Sequence, residues 1–124
     1  MPASPEKAPT DMALQHPLSD EVVELIARRL RVIADPTRIK LLDRLRATEA
    51  TVQELTDAVG STQQNVSKHL GVLADAGIVA RRREGSFMRY RVVDESVYRL
   101  CEEICGSVAR QLDDLQALLT AANH

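Results

Sequence analysis

A chain of 124 residues, 44% hydrophobic and 27% charged, is long enough to bury one core and suits a single globular domain. Only Phe87, Tyr90 and Tyr98 are aromatic, so Leu, Val, Ile and Ala must build that core, which favours helices. The net charge of −2 argues against a uniformly basic nucleic-acid binder, and two cysteines, Cys101 and Cys105, exclude a disulfide framework, so the reducing cytoplasm is the expected compartment.

Residues 1–18 hold Pro2, Pro5, Pro9 and Pro17 among Ala, Ser, Glu and Lys, the composition of a flexible tail without the apolar stretch of a secretory signal. No apolar run approaches the length of a membrane span. One domain is expected over 19–121, with a short tail at 122–124.

The first helix is predicted over 20–33, with Ser19 as its cap. Val22, Val23, Ile26, Leu30 and Ile33 recur at helical spacing, and Arg28, Arg29 and Arg31 take the other face. Asp35-Pro36 starts the second helix, because Asp caps well and Pro suits the first helical position. It runs to about residue 47 with Ile39, Leu41, Leu42 and Leu45 inward.

Thr51-Val52-Gln53-Glu54 reads as a capping box that opens a third helix, with Leu55 and Val59 as core contacts and Gly60 as its stop. Ser61-Thr62-Gln63-Gln64 reads as a second box. It opens a fourth helix to about residue 76, with Val66, Leu70 and Leu73 inward. Two helices joined through a tight Gly turn form the helix-turn-helix pattern.

Residues 78–83 and 87–93 are β-prone runs around Glu84-Gly85-Ser86 and read as a hairpin. Phe87, Arg89, Arg91 and Val93 take one face of its second strand, and Met88, Tyr90 and Val92 the other. A basic hairpin directly behind a helix-turn-helix is a wing. Asp94 caps a last helix over 95–121. Val97, Leu100, Cys101, Ile104, Val108, Leu112, Leu115, Leu118 and Leu119 form a broad apolar stripe there. A small domain cannot cover all of it, and a second copy of the chain is the simplest cover. The fold class is therefore mainly α with a β-hairpin wing: a five-helix winged helix-turn-helix, with the first and last helices at a dimer interface.

The charge is unevenly spread. Residues 51–93 carry six basic against four acidic side chains, whereas 94–124 carry two against six. A local field attracts phosphate whatever the total. Gln63, Gln64, Asn65, Ser67, Lys68 and His69 offer the fourth helix a polar face for base edges in the major groove of double-stranded DNA. Arg81, Arg82, Arg83, Ser86 and Arg89 offer the wing phosphate or minor-groove contacts, Arg89 foremost. Each set also has a plainer reading, a solvated helix face or a charged edge that blocks sheet aggregation. No catalytic triad, paired-acid cleft or phosphate loop is visible, so no enzyme is expected.

Ala34-Asp35-Pro36-Thr37-Arg38, Gln64-Asn65-Val66-Ser67-Lys68-His69-Leu70, Leu73-Ala74-Asp75-Ala76-Gly77-Ile78-Val79 and the wing around Arg83-Glu84-Gly85 and Tyr90-Arg91 together resemble the ArsR/SmtB family of winged-helix repressors. The resemblance covers about residues 20–118. It implies a homodimer on an inverted-repeat operator and a repressor released by an inducer: a transition metal, a metalloid, reactive sulfur or an oxidant. One family site is absent and a second, of which Asp94 remains, is missing or heavily altered. Val52-Gln53-Glu54 stands where arsenite and cadmium sensors carry Cys-x-Cys, and no His lies between His69 and His124 to serve a last-helix metal site.

Cys101 and Cys105 remain as the sensing candidates. Their spacing puts both thiols on one side of the last helix, one turn apart. Soft thiolates suit zinc, cadmium, copper(I), mercury and arsenite. Packing is the plainer alternative, and Glu102 and Glu103 nearby should raise a thiol pKa. A DNA binder that senses oxidants, reactive sulfur or nothing stays open, as does a winged-helix module used only for protein interaction.

Overall fold

The structure, a computed structural model, describes residues 14–122. The expected tail thus falls mostly outside the described residues, as do positions 123–124. The chain divides into two compact units after Arg31. Most of helix α1 (Asp20–Ile33) belongs to the first, with Ser19 Oγ accepting from the Val22 N–H at 3.3 Å. Its apolar residues Val23, Leu25, Ile26 and Leu30 are exposed.

The second unit begins at Val32 and is built on α2 (Pro36–Leu45). Asp35 Oδ1 accepts from the Arg38 N–H at 3.1 Å, and Pro36 opens the first turn. Leu41, Leu42 and Leu45 are buried as expected, but Ile39 is 49% exposed. It stands two residues from Leu41, on the far side of a 3.6-residue turn. The helix stops at Leu45 because the chain must extend into a strand that the sequence does not announce, β1 (Ala50–Thr51). Thr51 then caps α3 (Val52–Val59), and the box is complete: its Oγ1 accepts from the Glu54 N–H at 3.1 Å while Glu54 Oε1 accepts from the Thr51 N–H at 2.8 Å.

Gly60 ends α3 with φ +69°, a left-handed turn that a side chain would strain. The next helix, α4 (Gln63–Asp75), is capped by Thr62 and not by Ser61: Thr62 Oγ1 accepts from the Asn65 N–H at 3.0 Å. The expected second box is one residue out of register, since a cap must bond the N–H three positions on.

Strands β2 (Val79–Glu84) and β3 (Phe87–Val92) form the hairpin. Glu84 pairs with Phe87, so the turn is Gly85-Ser86 alone, with Gly85 at φ +62°. All pairing is antiparallel in the order β1-β3-β2, and Ala50 opposes Tyr90. Asp94 Oδ1 accepts from the Ser96 N–H at 2.9 Å and opens the final helix, α5 (Glu95–Ala122).

Leu41, Leu55, Val66, Leu70, Leu73 and Ile78 are fully buried where α2, α3, α4 and the sheet meet. From α5 only Val97 joins them as a buried residue, with Leu100 and Cys101 packed at the edge. Beyond that point Ile104, Val108, Leu112, Leu115, Leu118 and Leu119 are all exposed.

The Asp35 cap carries a pH signature. The hydrogen bond from the Arg38 N–H is the main reason that its carboxyl sits below the ordinary 3.8. A lowered value in the folded state means that the stabilisation is complete above the unfolded-chain value and fades as pH falls through the folded one. Urea melts of the wild type and Asp35→Ala should differ by about 1 kcal/mol at neutral pH. The gap should close below about pH 4. A gap of constant size down to pH 2 contradicts this account of the cap.

Candidate nucleic-acid interface

Burial of Val66, Leu70 and Leu73 orients α4. At 100° per residue the opposite side carries Gln64, Ser67 and Lys68, with Gln63 in the first turn. All four are exposed, and their side chains make no hydrogen bond or ion pair among the described residues. Gly71 continues the same side one turn on, and a Cβ built there would meet nothing within 4 Å. No contact among the described residues therefore explains a glycine in a helix interior.

The other two residues expected on that face are elsewhere. Asn65 is half-buried, and its Nδ2 donates to Ser61 Oγ at 2.9 Å, which fastens the first turn of α4 to the connecting turn. The His69 side chain is only 12% exposed. Arg38 Nη1 donates to its Nδ1 at 2.9 Å, and Arg38 Nε donates to the Val32 carbonyl at 2.6 Å. Arg38 thus clasps α4 to α2 and to the residue that precedes Ile33. The signal for His69 lies in the spacing: positions 66, 69, 70 and 73 are one helical stripe, so His69 belongs with the core residues.

The hairpin sorts its arginines by face. Arg82 and Arg89 are direct cross-strand partners, and like charges so placed repel. Three carboxylates offset this. Arg89 Nε donates to Glu84, and Arg89 Nη1 lies 3.6 Å from Glu54. Arg82 donates to Glu49 and lies 3.5 Å from Glu84. The hydrogen bond from Arg89 and its charge, with Arg82 beyond, hold the Glu84 carboxyl below its ordinary 4.5. Arg89, the foremost wing candidate from sequence, is thereby 30% exposed and spoken for. Arg81 and Arg83 oppose Tyr90 and Met88 on the other face. They are exposed, with no ion pair among the described residues, and Ser86 sits at the exposed tip. Sequence reading missed the part of Glu49, Glu54 and Glu84, because they meet the arginines only through strand pairing.

Cys101 is half-buried and Cys105 exposed, and both are free thiols. Burial pushes the Cys101 thiol up, with Arg46 opposing that in part, so burial and not Glu102 or Glu103 sets the direction. Both line one cavity together with residues of α2 and β3. Among the described residues no group of three or more His, Cys, Asp or Glu side chains could hold a metal ion. No helix among them is long and apolar enough to cross a membrane.

Residues 33–82 match the family described as a helix-turn-helix domain. Over 71 residues the chain is 45% identical to the probable mercury resistance operon repressor of Streptomyces lividans, covering 57% of this chain and 57% of that relative's length. It is 34% identical over 94 residues to the HTH-type transcriptional repressor SmtB of Mycobacterium tuberculosis, covering 76% of this chain and 67% of that one. The solution structure of a homodimeric winged helix-turn-helix DNA-binding domain from Mycobacterium bovis, a candidate ArsR-family regulator, superimposes with TM-score 0.68 at 28% identity, over 80% of this chain and 94% of that one. With its five helices, its hairpin wing and these relatives, the chain belongs to the ArsR/SmtB family of winged helix-turn-helix transcriptional regulators, which bind DNA and are not enzymes.

Proposed function

We propose that this regulator is a homodimeric repressor that sets Gln63, Gln64, Ser67 and Lys68 of α4 into the major groove of an inverted-repeat operator in the cytoplasm. The carrying observation is the exposed side of α4, whose polar side chains have no partner among the described residues. Gln pairs with adenine edges, while Lys and Ser reach several acceptors and phosphate. Arg81, Arg83 and Ser86 are the wing contacts. Asn65, His69, Arg82 and Arg89, which the sequence also assigns to DNA, hold the frame that presents them.

The exposed apolar residues of α1 and α5 form the dimer interface in this reading. A stripe of six large aliphatic side chains on one helix is too much to leave in water. A homodimer places two α4 helices for two operator half-sites.

The inducer acts at Cys101 and Cys105. Two thiols one turn apart fit a soft ion of low coordination number, such as mercury(II), copper(I) or a trivalent arsenical. Zinc and cadmium would need further ligands, and the described residues bring no third His, Cys, Asp or Glu together with the two thiols. The mercury resistance relative supports the thiophilic class. The raised Cys101 thiol disfavours the oxidant reading, since a peroxide needs thiolate already present whereas a metal displaces the proton.

Binding to DNA from upstream of the chain's own gene should weaken steeply with salt, and Lys68→Ala should lower affinity for every sequence and reduce the salt slope by about 1. Gln64→Ala should instead relax preference at one base pair, by roughly 1–3 kcal/mol. Equal losses from both across a panel of operator variants contradict that division of labour. Flat or absent DNA binding would return the chain to the protein-interaction reading.

Gly71→Ala should raise stability by about 0.5–1 kcal/mol, as for any open helix-interior glycine, yet weaken operator binding if the groove wall approaches that turn. An unchanged affinity would take Gly71 out of the interface. The double variant Cys101→Ser with Cys105→Ser should bind operator normally and no longer release it with mercury(II). Continued release places the inducer elsewhere.

A further inference from the structure

A cavity of about 350 Å³ opens between α2, β3 and the first turns of α5. Ile39, Leu42, Val92, Val97 and Cys101 make its apolar walls. A metal ion held by thiolates at about 2.3 Å uses only a corner of such a space. Pockets of roughly 300–1,000 Å³ with apolar walls and a few polar groups hold small molecules.

The rim settles the charge of the occupant. Arg46 Nη2 donates to Glu102 Oε2 at 2.9 Å, Nη1 lies 3.9 Å from Asp43, and the guanidinium stacks 5.4 Å from the Tyr98 ring centre. Lys40 adds a second cation at the mouth. The two lining cations, Lys40 and Arg46, are offset by Asp43 in the lining and by Glu102, which pairs with Arg46 from outside it, so neither an anionic nor a cationic ligand finds net counter-charge there.

The same geometry ties the cavity to the DNA-binding helix. Ile39, Leu42 and Asp43 of α2, with Arg46 just past its end, form the side that lines it. Arg38, Leu41 and Leu45 form the side turned inward, and Arg38 holds His69 of α4. Whatever moves α2 away from α5 pulls on that clasp.

We propose that this cavity binds a small, uncharged, mainly apolar molecule, and that occupancy weakens DNA binding through α2. The second half rests on the reading of the chain as a DNA-releasing repressor. The first half stands without it.

The probe is N-phenyl-1-naphthylamine, an uncharged apolar fluorophore, titrated into the full chain. Saturable binding of one probe per chain is expected, displaced by naphthalene at least tenfold more effectively than by 2-naphthoate. Ile39→Trp and Lys40→Trp replace exposed wall and rim residues and fill the space from two sides. Each should lower probe affinity at least tenfold with unchanged melting, whereas Gln53→Trp, on α3 and outside the cavity lining, should not alter it. Saturating probe should weaken binding to DNA from upstream of the chain's own gene at least fivefold, the lower end of ordinary couplings between sites.

Non-saturable binding, insensitivity to both Ile39→Trp and Lys40→Trp, or loss in Gln53→Trp overturns the cavity proposal. Probe release as rising protein concentration drives dimerisation also overturns it, because a second copy then fills the space. Probe binding with unchanged DNA affinity overturns the coupling alone. A chain that takes the probe but binds no DNA overturns the repressor reading and leaves the cavity standing.

Discussion

Val66, Leu70 and Leu73 are fully buried against a core that includes Leu41, Leu55 and Ile78, and that burial decides which side of α4 looks outward. Each such side chain contributes roughly 1.5–3 kcal/mol on leaving water, and the rotation of α4 about its axis cannot change without giving all three up together. The polar side is thereby rigidly aimed. Two lateral fasteners complete the aim: Asn65 to Ser61 at the first turn, and Arg38 to His69 a turn later. Arg38 is itself held in place, since its own N–H caps onto Asp35 and its Nε reaches the Val32 carbonyl. Polar residues near the recognition surface thus divide into those that present it and those that hold it still.

Electrostatics in the wing follow the same division. A strand with three successive arginines must place them on alternate faces. On one face Arg82 meets Arg89, and the repulsion is met by Glu49, Glu54 and Glu84. On the other face Arg81 and Arg83 remain exposed. Exposed ion pairs of this kind are individually weak and screened by salt. Their effect is to hold two side chains in place and cancel their field, and the field offered to phosphate narrows to the unpaired residues.

Helix α5 serves two environments along one length. Val97, Leu100 and Cys101 belong to the core or its edge, and the large apolar residues from Ile104 onward are exposed. Between the two regimes lie the cavity, both thiols and the Arg46 clasp to Tyr98 and Glu102. The sensing site proposed for this junction would touch the core on one side and the uncovered stripe on the other, where a small change in packing can reach both α4 and the proposed dimer interface.

The sequence by itself determined the five helices, the hairpin, the turn glycines and the inward stripes, because these depend on local periodicity and on caps within a few residues. It also placed Gln63, Gln64, Ser67 and Lys68 on the exposed side of α4, and Cys101 with Cys105 on one helical side. Tertiary structure alone decided the rest. Strand β1 has two residues, too few to show alternation, and exists only because β3 is there to pair with it. Ile39 belongs to a cavity wall and not to the core because β3 and α5 define what lies opposite it. His69 was legible as an inward residue from its spacing, but its partner Arg38 stands 31 positions away. Arg82 and Arg89 lose their freedom to carboxylates as many as 35 positions off, at distances that no local pattern encodes.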